Sequence, residues 1–89
     1  MKQAHVFISG HVQGIGYRQF VKGNARKLDL TGWVRNTEDG GVEAVLQGEE
    51  SMIELMIEQC KKGPFMAEVE HLGFEWEEEE ETFTEFTIQ

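Results

Sequence analysis

The sequence predicts an α+β sandwich in which two helices cover one face of a mainly antiparallel sheet. Three observations carry that reading. Apolar residues recur first at strand period and then at helix period, in the order β–α–β–β–α–β. An acidic, glycine-containing turn joins the two middle strands directly. The length of 89 residues, with 39% hydrophobic side chains, suffices for one modest core, so residues 1–89 read as a single domain.

Ala4 to Ser9 opens the chain as a strand, with Ala4, Val6 and Ile8 on the core face and His5, Phe7 and Ser9 on the other. From Arg18 to Asp29 the period lengthens: Val21, Ala25 and Leu28 form an apolar stripe, with Lys22, Arg26 and Lys27 mostly outside it. Thr31–Thr37 and Gly41–Gln47 flank Glu38-Asp39-Gly40, a turn signal because aspartate bonds its own backbone and glycine accepts positive φ. Val42 and Val45 break strict alternation, so the facing of that strand stays open. Ser51 and Glu54 have capping-box spacing and predict a helix start near residue 51. Met52, Ile53, Met56, Ile57 and Cys60 then form its buried stripe. Lys61 and Lys62 suit its negative end, and Gly63-Pro64 stops it. Val69–Trp76 and Phe83–Ile88 complete the strands. This order is that of a ferredoxin-like sandwich. The run Glu77–Glu81 reads as a solvated turn or frayed strand end.

The formal charge of −9 is unevenly placed. Residues 1–48 carry six basic and four acidic side chains; residues 49–89 carry two and thirteen. The acidic part repels nucleic acid and anionic membrane, while the first half remains receptive to a small anion. No apolar run approaches a membrane span, and the first residues lack a signal peptide's apolar segment and cleavage site. A single cysteine excludes an internal disulfide, and together these features favour the cytoplasm. His5, His11, His71 and Cys60 have no compact metal-ligand spacing, so neither metal nor cofactor is expected.

The chemistry concentrates in Ser9-Gly10-His11-Val12-Gln13-Gly14-Ile15-Gly16-Tyr17-Arg18, where a strand gives way to a helix. Glycines at such a junction let successive N–H groups converge on an anion, and the helix N-terminus adds more. They also serve where a strand merely turns sharply, and the residues alone leave both readings open. The nucleotide-binding glycine patterns do not fit: the third glycine of the dinucleotide fingerprint is missing, and no Gly-Lys-Ser/Thr follows. Arg18 is either an exposed helix cation or a bidentate grip on phosphoryl oxygens. Asn36 is either a local turn residue or an amide that accepts from a water while donating to a phosphoryl oxygen.

Gly10, Val12, Gln13, Gly14, Ile15, Gly16, Tyr17 and Arg18 together resemble the signature of the acylphosphatase family. Gly32-Trp33-Val34-Arg35-Asn36, followed by Asp39-Gly40-Gly41-Val42-Glu43, is similar to that family's second pattern. Gly63-Pro64 and Ala67-x-Val69 resemble its later part, with Phe65 where a second proline often stands. The resemblance runs from the first strand to the last residues and implies that the final strand extends the sheet to five.

What it implies chemically is a free-standing acylphosphatase, which hydrolyses the mixed anhydride of a carboxylic acid and phosphate. His11, Val12, Gln13, Gly14, Ile15 and Gly16 then supply a phosphate cradle, Arg18 binds the phosphate, and Asn36 positions the attacking water. The expected partner is a small acyl phosphate, with no nucleic acid and no membrane, and the expected state is a monomer. Tyr17 reads as packing, Gln13 as shaping or bonding the loop, and Thr37 as a candidate aid to Asn36 or substrate. Arg35 reads as a surface or cross-strand cation, and Cys60 as a core thiol. The competing reading is a noncatalytic phosphate- or protein-binding module on the same scaffold. An RNA-binding module shares the element order, but its aromatic recognition motif is missing and the acidity opposes it.

Overall fold

A computed structural model describes all residues from Met1 to Gln89. The elements are β1 (Lys2–His11), α1 (Tyr17–Lys27), β2 (Thr31–Asn36), β3 (Val42–Gly48), α2 (Glu50–Lys62), β4 (Glu68–Glu77) and β5 (Phe86–Ile88). The sheet runs β4-β1-β3-β2-β5, antiparallel at every pairing except β2 with β5, which is parallel. This is the ferredoxin-like α+β arrangement with the fifth strand added at one edge.

The core lies between helices and sheet. Ala4, Val6 and Ile8 are buried, as the alternation of β1 requires. They meet Val34 of β2, Ala44 and Leu46 of β3, Val21 and Ala25 of α1, and Ile53, Met56 and Ile57 of α2 in one cluster. Burying each of the larger side chains contributes about 1.5–3 kcal/mol. Tyr17 is the buried start of the α1 stripe, and its hydroxyl donates to the Cys60 carbonyl oxygen at 2.5 Å, which ties α1 to α2. Burial pushes the Tyr17 phenol well above its ordinary range and the Cys60 thiol up to about 12, so both stay neutral. Cys60 is a core thiol.

Some boundaries differ from the sequence reading. The N-cap of α2 is Glu49, extended at φ −71° and ψ 140°, and its carbonyl accepts the Met52 and Ile53 N–H groups. Ser51 therefore sits inside the first turn, and no side chain caps the helix. β3 is buried along its whole length because its second face is covered too. Residues 78–85 run across that face: Gln47 Nε2 donates to the Glu81 carbonyl, and the Phe83 N–H donates to Gln47 Oε1. This diversion of Phe83 shortens β5 to three residues. Glu78 to Glu81 are exposed, but Glu77 ends β4 and is engaged.

Glu77 belongs to a charged clasp on this second face. His5 donates from Nδ1 to Glu77 Oε2 at 3.0 Å and from Nε2 to Glu43 Oε2 at 2.5 Å. Arg35 donates to Glu43 Oε1 from Nε at 2.8 Å and from Nη2 at 2.7 Å, and stacks over Trp33 at 5.1 Å. Arg35 is thus a cross-strand cation. Burial alone would lower the His5 pKa, but the hydrogen bonds to Glu77 and Glu43 outweigh it and hold the ring above its ordinary 6.5. Burial would raise Glu43, but His5 and Arg35 bring it below 4.5; the Gln3 hydrogen bond and His5 do the same for Glu77.

The pH dependence follows from those directions. The imidazolium contributes fully below pH 6.5 and is lost as pH rises through its raised folded pKa. The carboxylates contribute above 4.5 and are lost as pH falls through their lowered values. Stabilisation by the clasp is therefore greatest between 4.5 and 6.5. We expect His5→Gln to flatten the fall in thermal midpoint on the alkaline side of that window. An undiminished fall in the variant would rule His5 out as its source.

Candidate active site

The segment joining β1 to α1 cannot continue either element. Gly14 and Gly16 adopt φ +77° and +81°, the left-handed region that favours glycine, and a Cβ at either position would meet nothing within 4 Å. Glycine is required here by backbone conformation rather than by crowding, and the surface beside it is open. Gly16 is the N-cap of α1 and offers no capping side chain. None of the backbone N–H groups of residues 12–19 donates to another protein group. A helix leaves its first four N–H groups unpaired; here the preceding loop extends that set. The result is an arc of donors reinforced by the positive end of the α1 dipole, with no acidic residue in the helix's first turn.

Arg18 and Asn36 border the arc. Both line a cleft of about 110 Å³ with Val12, Gly14, Gly16 and Ile88. Val34 points into the helix-side core, so the period of two places Asn36 on that same face at the end of β2. Arg18 lies in the first turn of α1, and its Nη1 donates to the backbone oxygen of Gln89 at 3.1 Å, just beyond β5. No side-chain carboxylate pairs with it. Arg35, by contrast, spends its guanidinium on Glu43. In a chain of net charge −9, Arg18 is a cation with most of its donors still available.

The remaining sequence candidates separate in space. His11 is exposed, ends β1 opposite Glu68 and does not line the cleft. Tyr17 lines it with its ring packed and its hydroxyl committed to α2. Gln13 is half-buried and reaches the β2–β3 turn, donating from Nε2 to the carbonyls of Thr37 and Gly41. Thr37 organises that turn: its hydroxyl accepts from the Gly41 N–H at 3.0 Å and donates to Asp39. The Thr37 hydroxyl, then the Gly41 N–H, hold the Asp39 carboxyl below its ordinary range. Gln19 also lines the cleft and escapes the sequence reading; it is the next residue along the first turn of the helix, and no sequence pattern marks it.

A larger cavity of about 360 Å³ opens on the second sheet face beside Trp33 and Phe83. Glu77, Glu78, Glu80 and Glu81 line it, so its charge repels anions.

The fold class is a ferredoxin-like sandwich in which unpaired N–H groups at a strand-to-helix junction share one cleft with Arg18 and Asn36. Comparison with known proteins specifies it. The acylphosphatase family model matches residues 4–88. An acylphosphatase of Roseiflexus sp. is 49% identical over 77 residues, covering 86% of this chain and 83% of that protein. The crystal structure of acylphosphatase from Bacillus subtilis superposes with a TM-score of 0.96 at 34% identity, covering 100% of this chain and 99% of that one. An acylphosphatase structure from Coxiella burnetii gives 0.94 at 36% identity, with 99% and 92% covered. The chain belongs to the acylphosphatase family.

Proposed function

We propose that the N–H arc of residues 12–19, Arg18 and Asn36 carry out the family's reaction, hydrolysis of an acyl phosphate to a carboxylate and inorganic phosphate. The single observation that carries this assignment is the arc itself: consecutive unpaired donors beside a guanidinium that no side-chain carboxylate neutralises.

The cradle and Arg18 hold the phosphoryl oxygens. Asn36 Oδ1 accepts a hydrogen bond from water while Nδ2 donates to a phosphoryl oxygen, so one amide aligns nucleophile and substrate. The water oxygen forms a bond to phosphorus as the bond from phosphorus to the acyl oxygen breaks. The electron pair leaves with the carboxylate, and the water's proton passes to the phosphate product or to solvent. A carboxylate is a good leaving group, which removes the need for a general acid. Charge on the three equatorial oxygens is what the site must stabilise. The cleft lining contains no Cys, His, Ser, Asp or Glu, which supports direct attack by water over a covalent phosphoenzyme.

The cleft is small beside the roughly 300–1,000 Å³ of a site that encloses a whole drug-sized ligand. It suits a phosphoryl group with the acyl portion projecting outward, and hence a range of small acyl phosphates. A cytoplasmic, monomeric protein without a nucleic-acid partner belongs to the same proposal; the buried single cysteine and the acidic surface support it. No helix is long and apolar enough to cross a membrane.

The test compares hydrolysis of acetyl phosphate with that of an alkyl phosphate by metal-free protein. We expect rapid turnover of the anhydride and little of the ester. Phosphate binding without anhydride turnover by folded protein would select the noncatalytic reading.

A further inference from the structure

Two segments distant in sequence must be held in register for the proposed site to work: the cradle loop, which carries the phosphate, and the end of β2, which carries Asn36. One side chain connects them directly. Gln13 leaves the cradle and places its amide nitrogen 2.8 Å from the carbonyl oxygen of Thr37 and 2.8 Å from that of Gly41. Two carbonyl acceptors require two N–H donors, so the NH₂ end of the amide must face the turn, and both of its hydrogens are used. Thr37 is the residue after Asn36.

The turn that receives this amide is itself closed. The Thr37 N–H donates to the Gly41 carbonyl at 3.0 Å, and the Gly40 N–H donates to the Thr37 carbonyl at 3.3 Å. The Gly41 N–H donates to the Thr37 hydroxyl at 3.0 Å and lies 3.3 Å from Asp39 Oδ1. Gln13 therefore grips both ends of a preformed loop rather than one mobile carbonyl. The backbone bonds of the hairpin hold Asn36 relative to β3; only the Gln13 amide ties that hairpin by a side chain to the loop that receives phosphate.

We propose that Gln13 is a positioning residue for hydrolysis: its side-chain amide fixes the distance between the phosphate cradle and Asn36. This rests on the assignment of the cradle and Asn36 made above. Gln13 touches neither water nor phosphate through its side chain in this role. Its effect passes entirely through the placement of Asn36, where an error of about 1 Å costs up to roughly two decades in rate.

The experiment measures kcat, KM and competitive inhibition by inorganic phosphate for Gln13→Met, Gln13→Glu, Asn36→Ala and the double variant Gln13→Met/Asn36→Ala, each after its fold and thermal midpoint are checked. Methionine keeps the length and volume of Gln13 but removes both donors. We expect kcat to fall about tenfold in Gln13→Met with phosphate inhibition within about twofold of wild type. In the Asn36→Ala background the same change should cost almost nothing, because the group being positioned is gone. Gln13→Glu turns a carboxylate toward two carbonyl oxygens. It should be impaired near neutral pH and recover partly below about pH 5, where a protonated carboxyl can again donate to one of them.

The outcomes separate. Wild-type kcat in Gln13→Met beside an impaired Asn36→Ala would overturn the positioning role and leave the site assignment standing. A loss of phosphate inhibition matching the loss of kcat would overturn it too, by making Gln13 a brace of the cradle alone. Full additivity in the double variant would also overturn the proposal. Wild-type turnover in Asn36→Ala would remove the site assignment and this inference with it.

Discussion

Replacing Arg18 with lysine should lower kcat/KM for an acyl phosphate by about two decades and weaken inhibition by phosphate. The substitution keeps the positive charge and removes the planar fork. Were long-range attraction sufficient, lysine would preserve most of the activity. The geometry argues otherwise. Nη1 of Arg18 is already directed to the backbone oxygen of Gln89, which orients the guanidinium plane and leaves its other donors free. A lysine ammonium can bond that backbone oxygen or a phosphoryl oxygen, but it has no second arm at fixed spacing. A loss of about 3 kcal/mol in transition-state stabilisation corresponds to about two decades. Both kcat/KM and phosphate inhibition should be measured on folded variant. Near-wild-type values for the two would reduce Arg18 to a helix-surface cation.

Much of the scaffold that delivers Arg18 is legible from local pattern. The even-numbered residues of β1 face the core because pleat and apolar alternation share a period, and the stripe Ile53, Met56, Ile57, Cys60 is buried because it has a helix's period. What cannot be read locally depends on residues far along the chain. Val45 and Gln47 are buried because residues 78–85 fold across them. Phe83 leaves β5 because its N–H finds Gln47, 36 residues away. The mixed parity of Val42 and Val45 is the one trace of this second covered face. Ser51 and Glu54 have the spacing of a capping box, yet the chain enters α2 two residues before Ser51, through the Glu49 carbonyl.

The site divides in the same way. Glycines before a helix make the cradle legible as one of two readings, and the structure supplies the facts of conformation and unpaired donors. Nothing in the spacing of Arg18 and Asn36 places them on one cleft. That follows from β2 lying between β3 and β5 under the end of α1, which is a property of sheet order. Arg18 and Arg35 show the point in reverse. The sequence reads Arg35 as a surface or cross-strand cation, and the structure supplies the reason: the Glu43 carboxylate occupies its guanidinium, while no side-chain carboxylate meets Arg18.

Asn36→Ala should lower kcat by about two decades or more while leaving phosphate inhibition nearly intact. The two measurements report different parts of the cleft. In the proposed site phosphate is held by the N–H arc and Arg18, none of which the substitution touches, and an alanine there would still continue β2 opposite Val42. What disappears is the strand-borne amide that faces the cradle across the cleft, able to accept from water and donate to phosphate together. Water then approaches phosphorus from many directions, and the entropy of alignment returns to the barrier, consistent with the roughly 10²-fold cost of a lost positioned contact. Asn36→Asp sharpens the argument. A carboxylate accepts from water as well as the amide does, but it cannot donate, and its charge opposes the phosphoryl oxygens it must approach. Aspartate at this position should therefore weaken phosphate inhibition, which alanine should not. Equal phosphate inhibition in the two variants would mean that Asn36 lies too far from the bound anion to orient its attacking water.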